Sequence, residues 1–235
     1  MKKITEGFFV VFEGCDGSGK TSISQQVWRM LQSAGYSSLW TREPGGTPVG
    51  QALRELLVRT DSTVTERTEL LLYAADRAQH IESKIIPALS DGSIVISDRY
   101  YHSTMAFQGA GRGHDSGMLL GLQDMAGTFD PDLTIILDVQ PDVAERRNTR
   151  VCDVCHVKAS EQKFENIAKD DPSFGDRVRK YYASIKEPHF RGRIKGRITE
   201  YIHLDNSEDN GFNEVSVKAC NLIVDRIVKY VLPEI

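Results

Sequence analysis

Residues 14–21, Gly14-Cys15-Asp16-Gly17-Ser18-Gly19-Lys20-Thr21, set three glycines ahead of one lysine and one hydroxyl residue in the pattern G-x-x-x-x-G-K-[ST]. Glycines let successive backbone N–H groups turn inward around phosphate oxygens, and a helix opening at Lys20 would aim the positive end of its dipole at the same anion. Lys20 then has the reach to bridge the outer phosphates of a nucleoside triphosphate, and Thr21 has the hydroxyl to reach the accompanying Mg²⁺. A glycine turn carrying a surface lysine is the plainer reading. Against it, the apolar run before the loop and the helical periodicity after it supply the strand and helix this pattern needs. The loop alone does not separate a kinase from a GTPase or a motor. No N-K-x-D base-reading motif occurs, and "IILDVQPD" is a weak match to the acidic motif of motor ATPases.

A second anion site is written elsewhere. "TREPGGTP" (41–48) puts Arg42 at the end of one β-rich run, and "SDRYYHSTMAFQGAGRG" (97–113) puts Asp98 and Arg99 at the end of another. Ligands of open parallel sheets bind outside the carboxyl ends of the strands, so two arginines and the phosphate loop would face one crevice. Either arginine alone could be a structural ion pair; both together favour phosphate binding, since a guanidinium is a forked donor matched to that group.

Five short β-branched or aromatic runs would position these residues: "FFVVFE" (8–13), "SSLWT" (37–41), "SIVISD" (93–98), "LTIILDV" (133–139) and "EYIHLD" (200–205). Helical periodicity fills the intervals, which predicts βαβ crossovers, a parallel five-stranded sheet and helices on both faces, a three-layer α/β fold of the P-loop NTPase type. Apolar residues at 70, 71, 74, 78, 81 and 85 predict one helix over 65–92, closed by Asp91-Gly92, on which Tyr73 and Arg77 share a face. Thr47 and Pro48 read as the cap and first residue of a helix over 47–57, and 213–232 as a closing amphipathic helix.

With 235 residues, 40% hydrophobic, 26% charged and a net charge of −4, the composition fits one globular domain over 1–235 and gives no general reason to bind nucleic acid. The basic clusters "ERRNTR" (145–150) and "FRGRIKGR" (190–197) read first as solvated faces. No apolar run approaches the length of a membrane helix, and Cys15, Cys152, Cys155 and Cys220 without a leader predict a reducing, cytoplasmic setting.

The motifs "GCDGSGKT", "TREPGGTP", "LLYAADRAQHI", "SDRYYHSTMAFQGAGRG", "DLTIILDV" and "FENIAKDDPSFGDRVRKYY" stand in an order and spacing that resembles the thymidylate kinase family from residue 8 to about 230. That resemblance implies transfer of the ATP γ-phosphate to dTMP with Mg²⁺. It implies that Tyr73 stacks on the thymine, that Arg77 hydrogen-bonds the base, and that Arg42 and Arg99 clamp the acceptor phosphate. It places Asp98 beside Mg²⁺ or that phosphate, Asp16 on the sugar 3′-hydroxyl, and Ser103, Phe107 and Gln108 along the nucleoside pocket. Glu43-Pro44 resembles the family's cis-proline turn, and a homodimer through the helices near 49–60 and 65–90 is implied as well. A P-loop kinase of another monophosphate such as dUMP, or a binding module switched by nucleotide, stays open as an alternative.

Some relatives carry an arginine in the P-loop where this chain has Gly17, so the basic stretch after "LDVQPD" becomes the source of a catalytic arginine. Arg147 and Arg150 are the candidates, ahead of Arg146, in a lid spanning about 141–170. Lys163 departs from the family's pattern and His102 from the common bacterial one, and neither receives a role. Cys152-Asp153-Val154-Cys155-His156 matches half of a structural Zn²⁺ site and also a haem attachment pattern; four zinc ligands would need His156, His189 or a second chain. Reduced thiols are the simpler expectation.

Overall fold

The computed structural model describes residues 2–4, 6–58, 63–148, 167, 171–186, 199–207 and 211–230. Five parallel strands, β1 (Phe8–Glu13), β2 (Ser38–Arg42), β3 (Ile94–Asp98), β4 (Leu133–Asp138) and β5 (Glu200–Asp205), form one sheet in the order β2-β3-β1-β4-β5. The expected runs are the observed strands, with ends shifted by at most one residue.

Every residue of β1 is buried, because the strand lies at the centre of the sheet with helices on both faces. Phe8, Val10 and Phe12 pack with Ile23, Val27 and Leu31 of α1 (Lys20–Ser33) and with Ala219 and Ile223 of the closing helix α9 (Phe212–Tyr230). Phe9 and Val11 turn the other way, into a cluster with Leu70, Ile81, Ile85 and Leu89. Each fully buried apolar side chain contributes about 1.5–3 kcal/mol, whereas an unpaired buried carboxylate would cancel several of them. Glu13, fully buried at the end of this strand, must therefore be satisfied where it stands.

Thr47 caps α2 (Pro48–Val58) as read, its Oγ1 accepting the Gly50 N–H at 2.9 Å. The single helix expected over 65–92 is instead three joined pieces: α3 (Glu66–His80), a π-helical turn (Ile81–Ile85) and α4 (Ile86–Ser90). Pro87 explains the position of the break, since proline has no N–H to donate and its ring crowds the preceding turn. Asp91-Gly92 closes the run, Gly92 lying at φ +75° where a Cβ would meet the Ile4 carbonyl oxygen at 2.3 Å.

Beyond β3 come α5 (Tyr101–Thr104), a second π-helical turn (Met105–Gly111) and α6 (Ser116–Met125). After β4 comes α7 (Pro141–Asn148), and α8 (Phe174–Ser184) precedes β5. Strands β1 and β3 are neighbours, yet the chain leaves β1 for α1 on one face and leaves β3 for α5 on the other. That divergence opens the crevice.

Candidate active site

Gly14, Gly17 and Gly19 all have positive φ, at 140°, 77° and 86°. At Gly17 an added Cβ would lie 2.5 Å from the Ala144 carbonyl oxygen of α7, so the loop takes its path only where no side chain intervenes. Lys20 opens α1 and is buried, its Nζ donating to the Cys15 carbonyl at 2.6 Å and reaching Ser18 Oγ at 3.4 Å. Burial, and then the neighbouring Arg99 charge, hold its pKa below the usual lysine value. The ammonium thus sits across the loop on weak acceptors, a position from which an arriving phosphate can draw it. Burial also pushes the Cys15 thiol up, to about 11, so this cysteine is not a thiolate at neutral pH.

Thr21 Oγ1 donates to Asp98 Oδ2 at 2.5 Å, joining the P-loop helix to the end of β3. Asp98 is 3% exposed and its Oδ1 is buried without a hydrogen-bond partner among the described residues. A hydroxyl and a carboxylate with an unused oxygen are hard donors of the kind Mg²⁺ takes, and that ion ordinarily completes its shell with water and substrate phosphate rather than further side chains. Thr21 and Asp98 therefore fit the ion that the P-loop implies.

Next to the loop lies a cavity with about 590 Å³ of empty space, partly open to solvent. Asp16, Tyr73, Arg77, Arg99, Ser103, Phe107 and Gln108 all line it. Seven residues chosen from three separate stretches of sequence thus line one cavity.

Arg99 is the one residue other than glycine with positive φ among the described residues, at 72°. Its guanidinium pairs with Asp16, donates to Ser103 Oγ at 3.1 Å and lies 5.3 Å from the centre of the Phe107 ring. An arginine held in the left-handed region costs about 1–2 kcal/mol, and such strain persists where the surroundings fix it. Here the Arg99 N–H is bonded to the Phe12 carbonyl at 2.9 Å, and the Arg99 carbonyl accepts from Ser97 Oγ at 2.8 Å.

Arg77 is almost fully buried. Its Nε donates to Glu43 Oε2 at 2.8 Å, Nη1 to Gln123 and at 3.3 Å to Thr104 Oγ1, and Nη2 to the same Thr104 oxygen at 3.3 Å. A guanidinium has five N–H groups; these four contacts leave one, on Nη2, without a partner among the described residues. Burial drives the Glu43 carboxyl up, but Arg77 and His80 outweigh it and hold the group below its ordinary pKa. His80 in turn contacts Glu43 Oε1 at 2.9 Å and Thr41 Oγ1 at 2.7 Å. Asp76, on the same helix, accepts the Gly45 N–H at 3.1 Å, and burial followed by the Glu43 charge raises it to about 6. The Glu43-Pro44 bond is cis.

Arg42 ends β2 opposite Asp98 in the ladder and is half-buried, but it is not among the residues that line the cavity. Arg147, in the last turn of α7, donates from Nη1 to the Asn206 carbonyl at 2.7 Å, while Asn206 Nδ2 donates to the Ser18 carbonyl at 2.9 Å. The arginine is thus tied to the segment that braces the P-loop. Arg146 forms an exposed pair with Asp142 at 3.4 Å. Arg150, Cys152, Cys155, His156, Lys163 and His189 lie outside the described residues. His102 is buried against Tyr181, whose hydroxyl is 2.8 Å from its Nδ1, which accounts for the residue without catalysis.

The sequence-based reading missed Glu13, Arg54 and Thr104. Arg54 lines the cavity and donates to the Pro44 carbonyl at 3.1 Å. Only Glu13 left a signal, as a carboxylate in the last position of an otherwise apolar strand.

The sequence pattern of the family described as Thymidylate kinase matches residues 12–189. The chain belongs to the thymidylate kinase family. The Thermomicrobium roseum thymidylate kinase is 43% identical over 184 residues, covering 77% of this chain and 83% of the relative. The Nostoc sp. thymidylate kinase is 40% identical over 203 residues, covering 84% and 92%. Among solved structures, thymidylate kinase from Ehrlichia chaffeensis superposes with a TM-score of 0.61 at 29% identity, covering 93% of this chain and 98% of that one. No helix among the described residues is long and apolar enough to cross a membrane.

Proposed function

We propose that this thymidylate kinase transfers the γ-phosphate of ATP to dTMP, giving ADP and dTDP, with donor and acceptor meeting end to end in the crevice between β1 and β3. The observation that carries this reading is the Arg99–Asp16 pair: it joins the cavity wall to the phosphate loop, so a monophosphate on Arg99 lies beside a triphosphate on Lys20. A phosphate monoester has its second pKa near 6, so the acceptor oxygen already carries charge at neutral pH. Alignment and charge neutralisation are what remain for the protein to supply.

Tyr73 and Arg77 face the thymine, Arg77 through its remaining N–H. Ser103, Phe107 and Gln108 border the nucleoside, Asp16 accepts from the 3′-hydroxyl, and Arg42, at the end of the neighbouring strand, joins Arg99 as a clamp on the acceptor phosphate. Thr21 and Asp98 hold Mg²⁺, which when bound offsets charge on the transferring phosphates. The backbone N–H groups of residues 14–20 and the Lys20 ammonium cradle the rest of the donor. ADP release with dTMP, dUMP, dCMP and dGMP offered in turn tests this. Fast release with dTMP is expected, with dUMP slower by about tenfold, since one methyl group in a fitted pocket is worth about 1–3 kcal/mol. Equal slow release with every acceptor would instead mark a nucleotide-switched module.

Arg147 acts from the lid as the arginine that closes over the transferring group, exchanging the Asn206 carbonyl for phosphate oxygen. Arg147→Ala is expected to lower turnover at least about tenfold with little change in dTMP affinity; Arg150→Ala is the companion variant. Full turnover in both would remove the lid from the chemistry.

The working enzyme is a cytoplasmic homodimer. Val49 and Leu56 of α2 and Leu71 of α3 are 52%, 47% and 54% exposed on two helices that pack together. Apolar surface of this sort is characteristic of an interface. Leu71→Glu is expected to shift sedimentation from dimer to monomer.

A further inference from the structure

Glu13 is a buried carboxylate beside the crevice to which the reaction above gives no task. It ends β1, immediately before the P-loop, and has no solvent exposure. Its Oε1 accepts the backbone N–H of Tyr100 at 2.8 Å and of Ser103 at 3.1 Å. Its Oε2 accepts the hydroxyls of Ser103 at 2.7 Å and Tyr182 at 3.1 Å. Four donors from two elements thus converge on one side chain. Burial holds the Glu13 pKa above the ordinary carboxylate value, and the Ser103 and Tyr100 hydrogen bonds and the charges of Arg99 and Lys20 offset it only in part.

The directions of these bonds matter. Ser103 and Tyr182 oxygens lie 3.1 Å apart, and each has a single hydrogen, already given to Glu13. Ser103 Oγ is therefore left as an acceptor, and the group that donates to it is Arg99 Nη1. The carboxylate fixes the hydroxyl's orientation, and the hydroxyl fixes one arm of the guanidinium. Tyr182 enters from α8, the helix that follows the lid in sequence, whose Arg177 also donates to the carbonyls of Ala110 and Gly111.

We propose that Glu13 is the positioning residue of the acceptor side, orienting Arg99 through Ser103, and that its bond to Tyr182 makes this orientation depend on the docking of α8. The inference rests on Arg99 being the acceptor-phosphate clamp. It adds a residue that touches neither nucleotide and sets affinity for one of them.

Steady-state kinetics with dTMP and ATP varied separately, together with calorimetric titration of dTMP alone, would test it on the full-length wild type and on Tyr182→Phe, Glu13→Gln and the double variant. A hydrogen bond to a charged group is worth about a tenfold change in affinity or somewhat more. Tyr182→Phe is expected to raise the KM and Kd for dTMP about threefold to tenfold, and Glu13→Gln at least about tenfold, with the KM for ATP within about twofold of wild type. Because both act through Ser103, the double variant should be no worse than Glu13→Gln by more than about twofold. Equal rises in both KM values, additive effects of the two substitutions, or unchanged dTMP affinity would each overturn the proposal. Should Glu13→Gln not fold, Tyr182→Phe in wild-type and Ser103→Ala backgrounds gives the same cycle. Failure of the wild type to form dTDP would refute the proposed reaction instead, and the calorimetric titration would still read Glu13.

Discussion

Lys20→Met is expected to lower turnover about 10³-fold while dTMP binding stays within about threefold of wild type. The substitution keeps the apolar stem and removes only the ammonium. In the described structure that ammonium spans the P-loop, with the Cys15 carbonyl at 2.6 Å and Ser18 Oγ at 3.4 Å. Both are weak partners for a charge whose burial already lowers its pKa. In the proposed reaction the ammonium would exchange these neutral acceptors for anionic oxygens, and the gain would grow as charge spreads over the transferring group. The interaction is therefore stronger in the transition state than in the resting enzyme, the condition for a loss in kcat rather than in KM. Loop geometry should survive, because the three glycines and the Asn206 to Ser18 bond set it independently of the lysine. Rapid-quench measurement of dTDP formation, with dTMP titrated calorimetrically beside it, checks both halves. Turnover within tenfold of wild type would mean that the donor phosphates do not bind at this loop.

How much of this was legible follows from sequence distance. The P-loop lies in eight consecutive residues, with meaning fixed by local conformation, and the strands announce themselves because a strand covered on both faces must be apolar throughout. Tyr73 and Arg77 required only helical periodicity to be placed together. Glu13 did not yield in the same way, since its partners Ser103 and Tyr182 stand 90 and 169 positions away, and no spacing rule connects such residues. Arg54 was hidden for another reason. Its helix carries apolar neighbours Leu53, Leu56 and Leu57, and only the hydrogen bond from Arg54 Nη1 to the Pro44 carbonyl at 3.1 Å, ten positions away, shows how a cation is held there. The helix over 65–92 was visible in its apolar stripe, but the stripe persists across the π-turn at Ile81–Ile85 because Ile81 and Ile85 stay on the core side. Arg42 was correctly put at a strand end, yet strand ends specify height in the sheet and not which wall of the crevice a long side chain meets.

Arg99→Ala is expected to lower kcat/KM for dTMP about 10³-fold and leave the KM for ATP within about threefold. The size follows from the role proposed for the guanidinium: it lines the cavity paired to Asp16, and as the acceptor clamp its fork would give two charge-assisted hydrogen bonds to a dianionic phosphate, both lost at once. Arg99→Lys, which keeps the charge but replaces the fork with a point, should recover only part of the loss, about tenfold to 100-fold. Loss of the side chain must still be separated from disturbance of the backbone, and the positive φ of 72° provides the means. Alanine at that position must hold the left-handed conformation at about 1 kcal/mol or more, whereas glycine adopts it freely. Arg99→Gly should therefore unfold no earlier than Arg99→Ala on heating and yet be equally poor with dTMP. Were glycine instead to restore activity toward the wild-type level, the arginine's contribution would lie in the turn and not in the phosphate. Equal kinetic loss in two variants of different stability, with partial recovery by lysine, is the pattern that only a guanidinium acting on the acceptor produces, because turn geometry is relaxed in one variant and strained in the other while the charge is missing from both.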